Sequence, residues 1–386
     1  GPDLRGLAAL PDGRWAVTRW RSGADHGALW ALDPATGAAQ PWRLAFDEQL
    51  ASDTEIGGVP TWLDQVVVSP AGDEAAVPGL QANIGQGLFL NGERLDFDLA
   101  LRAVVAFVDP AGGAERFVQR KQFDGRGFAS AAAYSPRGDF LYVATRGSRT
   151  VERLDRLAGT GAGTLLDVGL APEALHVQAG RLWVLATLSR ALVVYDLDAF
   201  DTGAGPAAQV PLVDAEPLDP VLLRGKILFN DSADPRLSRD GYIACAHCHL
   251  DGDSDKLVWD FTDRGEGLRN TTTLEGRAGM AMGPVHWTGN FDEIQDFEHD
   301  IRNDQGGSGF LPVSDADFAA DEHPLGPTKT GRDADLDALA AYVATFTEVP
   351  KSPWREADGQ LGPAARRGRE VFREADCQAC HSGAGF

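Results

Sequence analysis

"AAYSPRGDFLYVATR" (Ala132–Arg146) reads as an apolar strand, a Pro/Gly turn and a second apolar strand with alternating side chains. Alternation of period two puts every other residue on one face, the pattern of a half-buried strand. The unit recurs in "LAALPDGRWAVTR" (Leu7–Arg19), "VVVSPAGDEAAVPG" (Val66–Gly79) and "LHVQAGRLWVLAT" (Leu175–Thr187). Each is trailed by a further strand, such as "GALWALDPATG", "AVVAFVDPAGG", "TVERLDRLAG" or "ALVVYDLDAF". Short strands repeating every 40–45 residues, roughly, predict propeller blades. The step from the third unit to the fourth fits that period, and the longer first two steps imply insertions. Residues 1–205 are thus expected to form an incomplete all-β propeller of about four blades, with a β-sandwich as the competing arrangement.

One insertion, "QANIGQGLFLNGERLDFDLALR" (Gln81–Arg102), carries Leu88, Phe89, Leu90, Leu95, Phe97 and Leu99. Loops of that length in compact domains are functional or disordered. This one is too apolar for a solvated tail and is expected to pack on the second half of the chain. Residues 206–220, rich in Pro, Gly and Ala, read as a linker.

The second half holds all four cysteines, in "CAHCH" (Cys245, Cys248, His249) and "CQACH" (Cys377, Cys380, His381). No cysteine is left over, so a disulfide framework is a poor reading. Cys-x-x-Cys-His is the signature of covalent c-type haem attachment, two thioethers and an axial histidine. Zinc is the alternative occupant and needs a closed set of four ligands. The flanks repeat too, "LRGKILF" (Leu223–Phe229) before the first site and "RRGREVF" (Arg366–Phe372) before the second. Gly225 and Gly368 would admit a second helix, and Phe229 and Phe372 would pack on the cofactor. "DLDALAAYVATF" (Asp335–Phe346) places Leu336, Leu339, Tyr342, Val343 and Phe346 on one helical stripe. His247, between the first two cysteines, is expected to face solvent.

The 386 residues carry a formal net charge of −22 with pI near 4.7, which argues against nucleic-acid and anionic-membrane partners. No run approaches the ~18 apolar residues of a membrane helix. The chain opens "GPDLRG" and stops five residues past His381, and so is expected to be a fragment, cut within a second haem domain. Covalent haem attachment implies a periplasmic or otherwise extracytoplasmic setting.

From Val221 onward the chain resembles the bacterial di-haem cytochrome c peroxidase family, which includes the MauG-like enzymes. The resemblance rests on "RGKILF", "DPRLSRDGYIACAHCH", "GEGLRNTTTLEGR", "GPVHWTGNFDEIQDFE", "DALAAYVATF" and "RRGREVF…CQACH". The upstream repeats are similar to YVTN-type propellers. The resemblance implies all-α, class I-like cytochrome c domains, a first over 221–350 and the start of a second over 356–386, with two covalently attached haem c groups. It implies hydrogen peroxide as substrate at the first haem. A small electron-donor protein, of cytochrome c or cupredoxin type, would feed the second. Trp287 matches the electron relay between the haems, and Asn270 lies where the family holds a calcium ion.

The loop "DRGEGLRN" lacks a histidine that caps the first haem in some members. Met280, Met282 and His286 are the candidates for that sixth position. Peroxide chemistry also requires a proton shuttle. In "NFDEIQDFEHDIR", Glu298 lies on the apolar stripe of Ile294 and Ile301 and is the first candidate, with Asp304 next. Three readings remain: a di-haem peroxidase or oxidase, a non-enzymatic electron-transfer cytochrome, and a propeller-based binding or surface protein with redox haems.

Overall fold

The computed structural model describes residues 3–49, 51–52, 54–320, 326–352 and 354–382. The quoted repeats all form antiparallel hairpins. Strands β1 (Leu4–Ala9), β2 (Trp15–Arg19), β3 (His26–Leu32) and β4 (Ala39–Ala45) make one four-stranded meander. A second sheet joins β5 (Val59–Thr61), β6 (Val67–Val68), β7 (Ala75–Ala82), β8 (Leu101–Val108) and β9 (Lys121–Phe123). Two further meanders follow. One is β10 (Ala129–Tyr134), β11 (Phe140–Thr145), β12 (Thr150–Asp155) and β13 (Thr160–Leu165). The other is β14 (Pro172–Gln178), β15 (Arg181–Ala186), β16 (Ala191–Asp196) and β17 (Ala208–Pro211). Strand β17 pairs with β16 from inside the stretch read as a linker.

The turn chemistry explains the repeats. In "SPRGD", Ser135 N donates to Phe140 O (2.8 Å) and Gly138 N to Ser135 O (2.9 Å), with Gly138 at φ +76°. "SPAGD" repeats those bonds at Ser69, Glu74 and Gly72, the last at φ +72°. Only glycine takes that left-handed position without strain. The trailing "DPATG", "DPAGG" and "DRLAG" turns close on Asp33, Asp109 and Asp155, whose carboxylates accept the amides of Ala35, Ala111 and Leu157. These are Asx turns, the reason aspartate stands there.

The second half departs from expectation. Strand outweighs helix over the chain, 31% against 19%, and no all-α cytochrome domain forms. An incomplete propeller followed by all-α class I-like domains is therefore not the fold. Helices α1 (Phe97–Ala100) and α2 (Ala199–Thr202) belong to the sheet region. Beyond it lie α3 (Pro220–Asn230), α4 (Cys245–His249), α5 (Glu298–Asn303), α6 (Asp315–Ala320), α7 (Ala334–Val343) and α8 (Pro363–Glu374). Three of the six, α4, α5 and α6, are one or two turns long. An antiparallel pair, β18 (Val258–Phe261) and β19 (Gly267–Asn270), intervenes. The reason lies in "DGDSD", "DRGEG" and "GPVHWTGN", whose glycines, proline and aspartates stop helices and turn the chain.

Helices α3 and α7 form the largest helical contact. Asp219 caps α3 by accepting Val221 N (2.9 Å), and Asp333 caps α7 by accepting Asp335 N (2.8 Å) and Leu336 N (3.0 Å). Arg224 grips both Asp335 oxygens through one guanidinium edge, Nε and Nη2 (2.7 and 2.6 Å). A methyl group on Gly225 would lie 1.9 Å from Ala338 O. Gly225→Ala is therefore expected to force the helices apart and cost about 1–3 kcal/mol, read as a lowered urea midpoint with unchanged slope. Gly368 on α8 meets no neighbour among the described residues.

The insertion does pack on the second half. The Asp260 carboxylate accepts Phe89 N (2.7 Å) and Leu90 N (3.1 Å), and the Phe97 ring lies 6.3 Å from that of Tyr242. Elsewhere across the same junction, Arg149 reaches Asp231 (3.4 Å) and Ser232 N donates to Gly147 O (3.0 Å).

Candidate haem site

Helix α4 is a single turn whose residues do different jobs. Cys245 and Cys248, three apart, share a side of it and pack against the main apolar cluster, with Leu228, Phe229, Leu336, Leu339 and Val343. Phe229, Tyr342 and Phe346 close that cluster with ring centroids 5.2–5.9 Å apart. No disulfide forms. Burial pushes the Cys245 thiol up to about 12, with the Asp300 charge adding. The Cys248 thiol is raised too, by burial and then by Asp255. Two thiols side by side in an apolar wall suit the paired thioether bonds of a haem. Among the described residues no three His, Cys, Asp or Glu side chains converge on a bare-metal site.

His249 completes the fit. Its Nδ1 faces the Asp253 carbonyl at 3.3 Å, an acceptor that fixes the proton on Nδ1 and the lone pair on Nε2. Burial holds its pKa down to about 4, against the Asp253 carbonyl and charge and the Thr272 carbonyl. A neutral imidazole with Nε2 unprotonated is what an axial iron ligand requires. The donor set therefore suits a covalently held haem at Cys245, Cys248 and His249.

His247 corrects the solvent-facing expectation, since it is 2% exposed. Its Nδ1 accepts Ala244 N (3.1 Å), and Trp62 Nε1 donates to its carbonyl (2.6 Å). Its ring packs on Gly127 and Gly147, where added methyl groups would come within 3 Å of it. The sheet region thus holds α4 by both ring and backbone. Asp255 holds the following turn, accepting Leu257 N and Trp259 Nε1 (both 2.9 Å), and burial raises its pKa to about 6.

Of the sixth-position candidates, Met280 packs against the cluster that contains both cysteines, and Met282 is exposed. His286 has both nitrogens engaged, Nδ1 with Asn290 Oδ1 (3.0 Å) and Nε2 with Asp300 Oδ2 (3.2 Å). Burial opposes its charge, but the Asp300 bond prevails and its pKa is raised. A doubly protonated imidazole has no lone pair for iron. Trp287 is 53% exposed and donates to Asn270 O (2.9 Å). Asn270 is exposed on β19, with its amide on Thr271 O at 3.5 Å, and no carboxylate cluster for calcium forms around it among the described residues.

Glu298 is fully buried and committed. Its carboxylate accepts Arg302 Nε (2.8 Å), Phe310 N (2.9 Å) and Leu311 N (3.0 Å). That arrangement ties α5 to the 307–311 loop and leaves little capacity for a moving proton. Glu298→Gln is expected to cost about 1–3 kcal/mol, because Arg302 Nε and the Phe310 and Leu311 amides lose a shared charged acceptor. Thermal unfolding of the variant checks this.

A polar network that the sequence did not reveal lies beside the site. Arg264 bonds Asp304 and lies 3.3 Å from Asp300, while Asp300 also holds His286. The network reaches the attachment helix electrostatically, since Asp300 acts on Cys245 and His286 on His249. Burial, with the Asp300 charge adding, pushes Asp304 up to about 7 despite Arg264. The residues span 40 positions, and no local pattern links them.

At the second motif, Cys377–Ala379 form one 3-10 turn after α8. Cys377 is half-buried, Cys380 and His381 are exposed, and Phe372 lies 6.3 Å from the His381 ring.

No family model matches the chain. It is 31% identical over 166 residues to hydrazine synthase subunit gamma of Kuenenia stuttgartiensis, covering 41% of this chain and 42% of that protein. It is 28% identical over 215 residues to the methylamine utilization protein MauG of Methylorubrum extorquens, covering 48% and 56%. The chain thus spans about half the length of these curated relatives. Among solved structures, hydrazine synthase of Kuenenia stuttgartiensis aligns over 49% of this chain and 57% of that one, at TM-score 0.38 and 14% identity. Citrobacter koseri AztD aligns over 56% and 49%, at TM-score 0.33 and 16% identity. The sequence similarity is weak, and one of the two relatives is the namesake of the MauG-like resemblance.

Proposed function

We propose that the chain is a c-type haem oxidoreductase acting outside the cytoplasm, with hydrogen peroxide as oxidant. Cys245, Cys248 and His249 would hold the first haem, and Cys377, Cys380 and His381 the second. The observation that carries this is His249, whose Nδ1 contact with the Asp253 carbonyl orients Nε2 as a ligand on the helix that turns both cysteines into an apolar wall. A bound haem supplies iron for electron transfer and oxygen chemistry. Leu228, Phe229, Leu339 and Val343 keep water from the cysteine side. Asp304 and His286 hold protons beside it, His286 on the ionised Asp300. Trp287 presents an oxidisable indole at the surface, the position for electrons arriving from the second site and from a small donor protein.

Met280, packed in the same cluster as the cysteines, favours a second reading, electron transfer through a six-coordinate iron. Visible spectra of the haem-loaded chain separate the two. A high-spin component at one haem, and a spectral change on adding peroxide, is expected. Two low-spin haems indifferent to peroxide would overturn the enzymatic reading.

A further inference from the structure

Away from the cysteines, a cavity of about 200 Å³ opens between the sheet region and the α3–α7 pair. Its walls include Arg146, just past β11, Arg190 in the turn after β15, and Lys226 on α3. Glu173 and Asp251 also line it. Both acids have cations at hand: Glu173 lies 2.5 Å from Arg146 Nη1, and Asp251 3.7 Å from Arg5. Arg190 is held by Glu216 (3.0 Å).

What remains is an excess of donors. The Lys226 ammonium has no ion pair among the described residues, and it lines the cavity. The Arg146 Nε–H is buried without an acceptor. Tyr342, also in the wall, makes no hydrogen bond through its hydroxyl among the described residues. A buried donor without an acceptor costs about 1–3 kcal/mol, and the Arg146 Nε–H, with the partly buried Lys226 ammonium and Tyr342 hydroxyl beside it, calls for a ligand that brings oxygen acceptors. With Arg146 on Glu173, Arg190 on Glu216 and Asp251 near Arg5, Lys226 is the cation left over among the described residues, and its single charge suits a carboxylate better than a dianionic phosphate. Phe229 and Leu188 give apolar wall for a short carbon skeleton.

We infer that this cavity binds a monocarboxylate through Lys226 and Arg146, beneath the Phe229–Tyr342 pair. The carboxylate has two sources, a free small acid or a carboxylate arm of the haem carried by α4, and the test distinguishes them. Propionate is titrated calorimetrically into the haem-loaded full chain, into Lys226→Met and, as a control, replaced by inorganic phosphate. A crystal structure of the same haem-loaded chain with propionate accompanies the titration. For a free acid, saturable propionate binding is expected, weaker by about ten- to a hundredfold in Lys226→Met, the effect of one lost charge-assisted hydrogen bond. Phosphate should bind more weakly than propionate. For the haem as source, the titration is silent and a haem carboxylate oxygen lies on Lys226 Nζ. A silent titration with only water at Lys226 overturns the inference, as does propionate binding that Lys226→Met leaves unchanged. Should Lys226→Met fail to fold, Lys226→Gln takes its place in the titration, and the crystal structure is read in the same way.

Discussion

A chain in which Cys245 and Cys248 are both replaced by alanine is expected to mature with one covalent haem fewer than the unchanged chain. Both thiols sit on one turn of helix, face the same apolar cluster and have no other partner chemistry, being neither disulfide-bonded nor part of a metal cluster among the described residues. Removing them deletes the covalent link without touching His249 or the Asp253 carbonyl that orients it. Haem content per chain, by the pyridine haemochrome spectrum, reads the outcome. An unchanged haem content in the double variant would show that α4 is not the attachment point. The fold should persist, because α3, α7 and the Trp62–His247 bond hold the cluster independently of the thiols.

The second large effect concerns Asp304. Its pKa of about 7, raised by burial and the Asp300 charge, keeps it protonated below neutrality and ionises it above. An acid that delivers a proton must carry one, so the peroxide reaction is expected to be fastest below pH 7 and to fall as pH rises through that value. Asp304→Asn removes the proton and should slow the reaction by about 10²–10⁴-fold, with the break near pH 7 abolished. Stopped-flow rates from pH 5 to 9 check both. A merely structural Asp304 would lower stability without erasing the break, and an unaltered pH profile in the variant sinks the assignment. Glu298, the candidate that sequence favoured, has its carboxylate taken up by Arg302 and two amides.

Sequence was informative where the physics is local. The SPxGD and Asx turns need glycine or aspartate at fixed offsets, so the hairpins β1–β2, β6–β7, β10–β11 and β14–β15 and the strand trailing each were readable, whereas β4, β5, β9 and β13 were not. Also readable were α7, from its apolar stripe, and Gly225, from its place on a helix that meets another, whereas the Asp219 and Asp333 caps went unread. The fold class was not readable. The resemblance implied all-α domains, whereas "VWDF" and "GLRN" are too short to announce the β18–β19 pair. Long-range contacts were hidden as well. His247 is buried only because Gly127 and Gly147, about a hundred residues upstream, leave room for it. The Arg264–Asp300–Asp304 network depends on a loop and a helix brought together by the fold. The attachment sites lay between these extremes: Cys-x-x-Cys-His was plain, but the Asp253 carbonyl that fixes the His249 tautomer was not.

The haem assignment at α4 is tested most directly by mass. Arg239 and Lys256 flank the first motif, so trypsin cuts the chain matured in a c-type-competent periplasm to a peptide spanning residues 240–256. That peptide is expected to carry the added mass of one haem, with both cysteines resistant to alkylation. Recovery of the bare peptide with two alkylatable thiols would contradict the account.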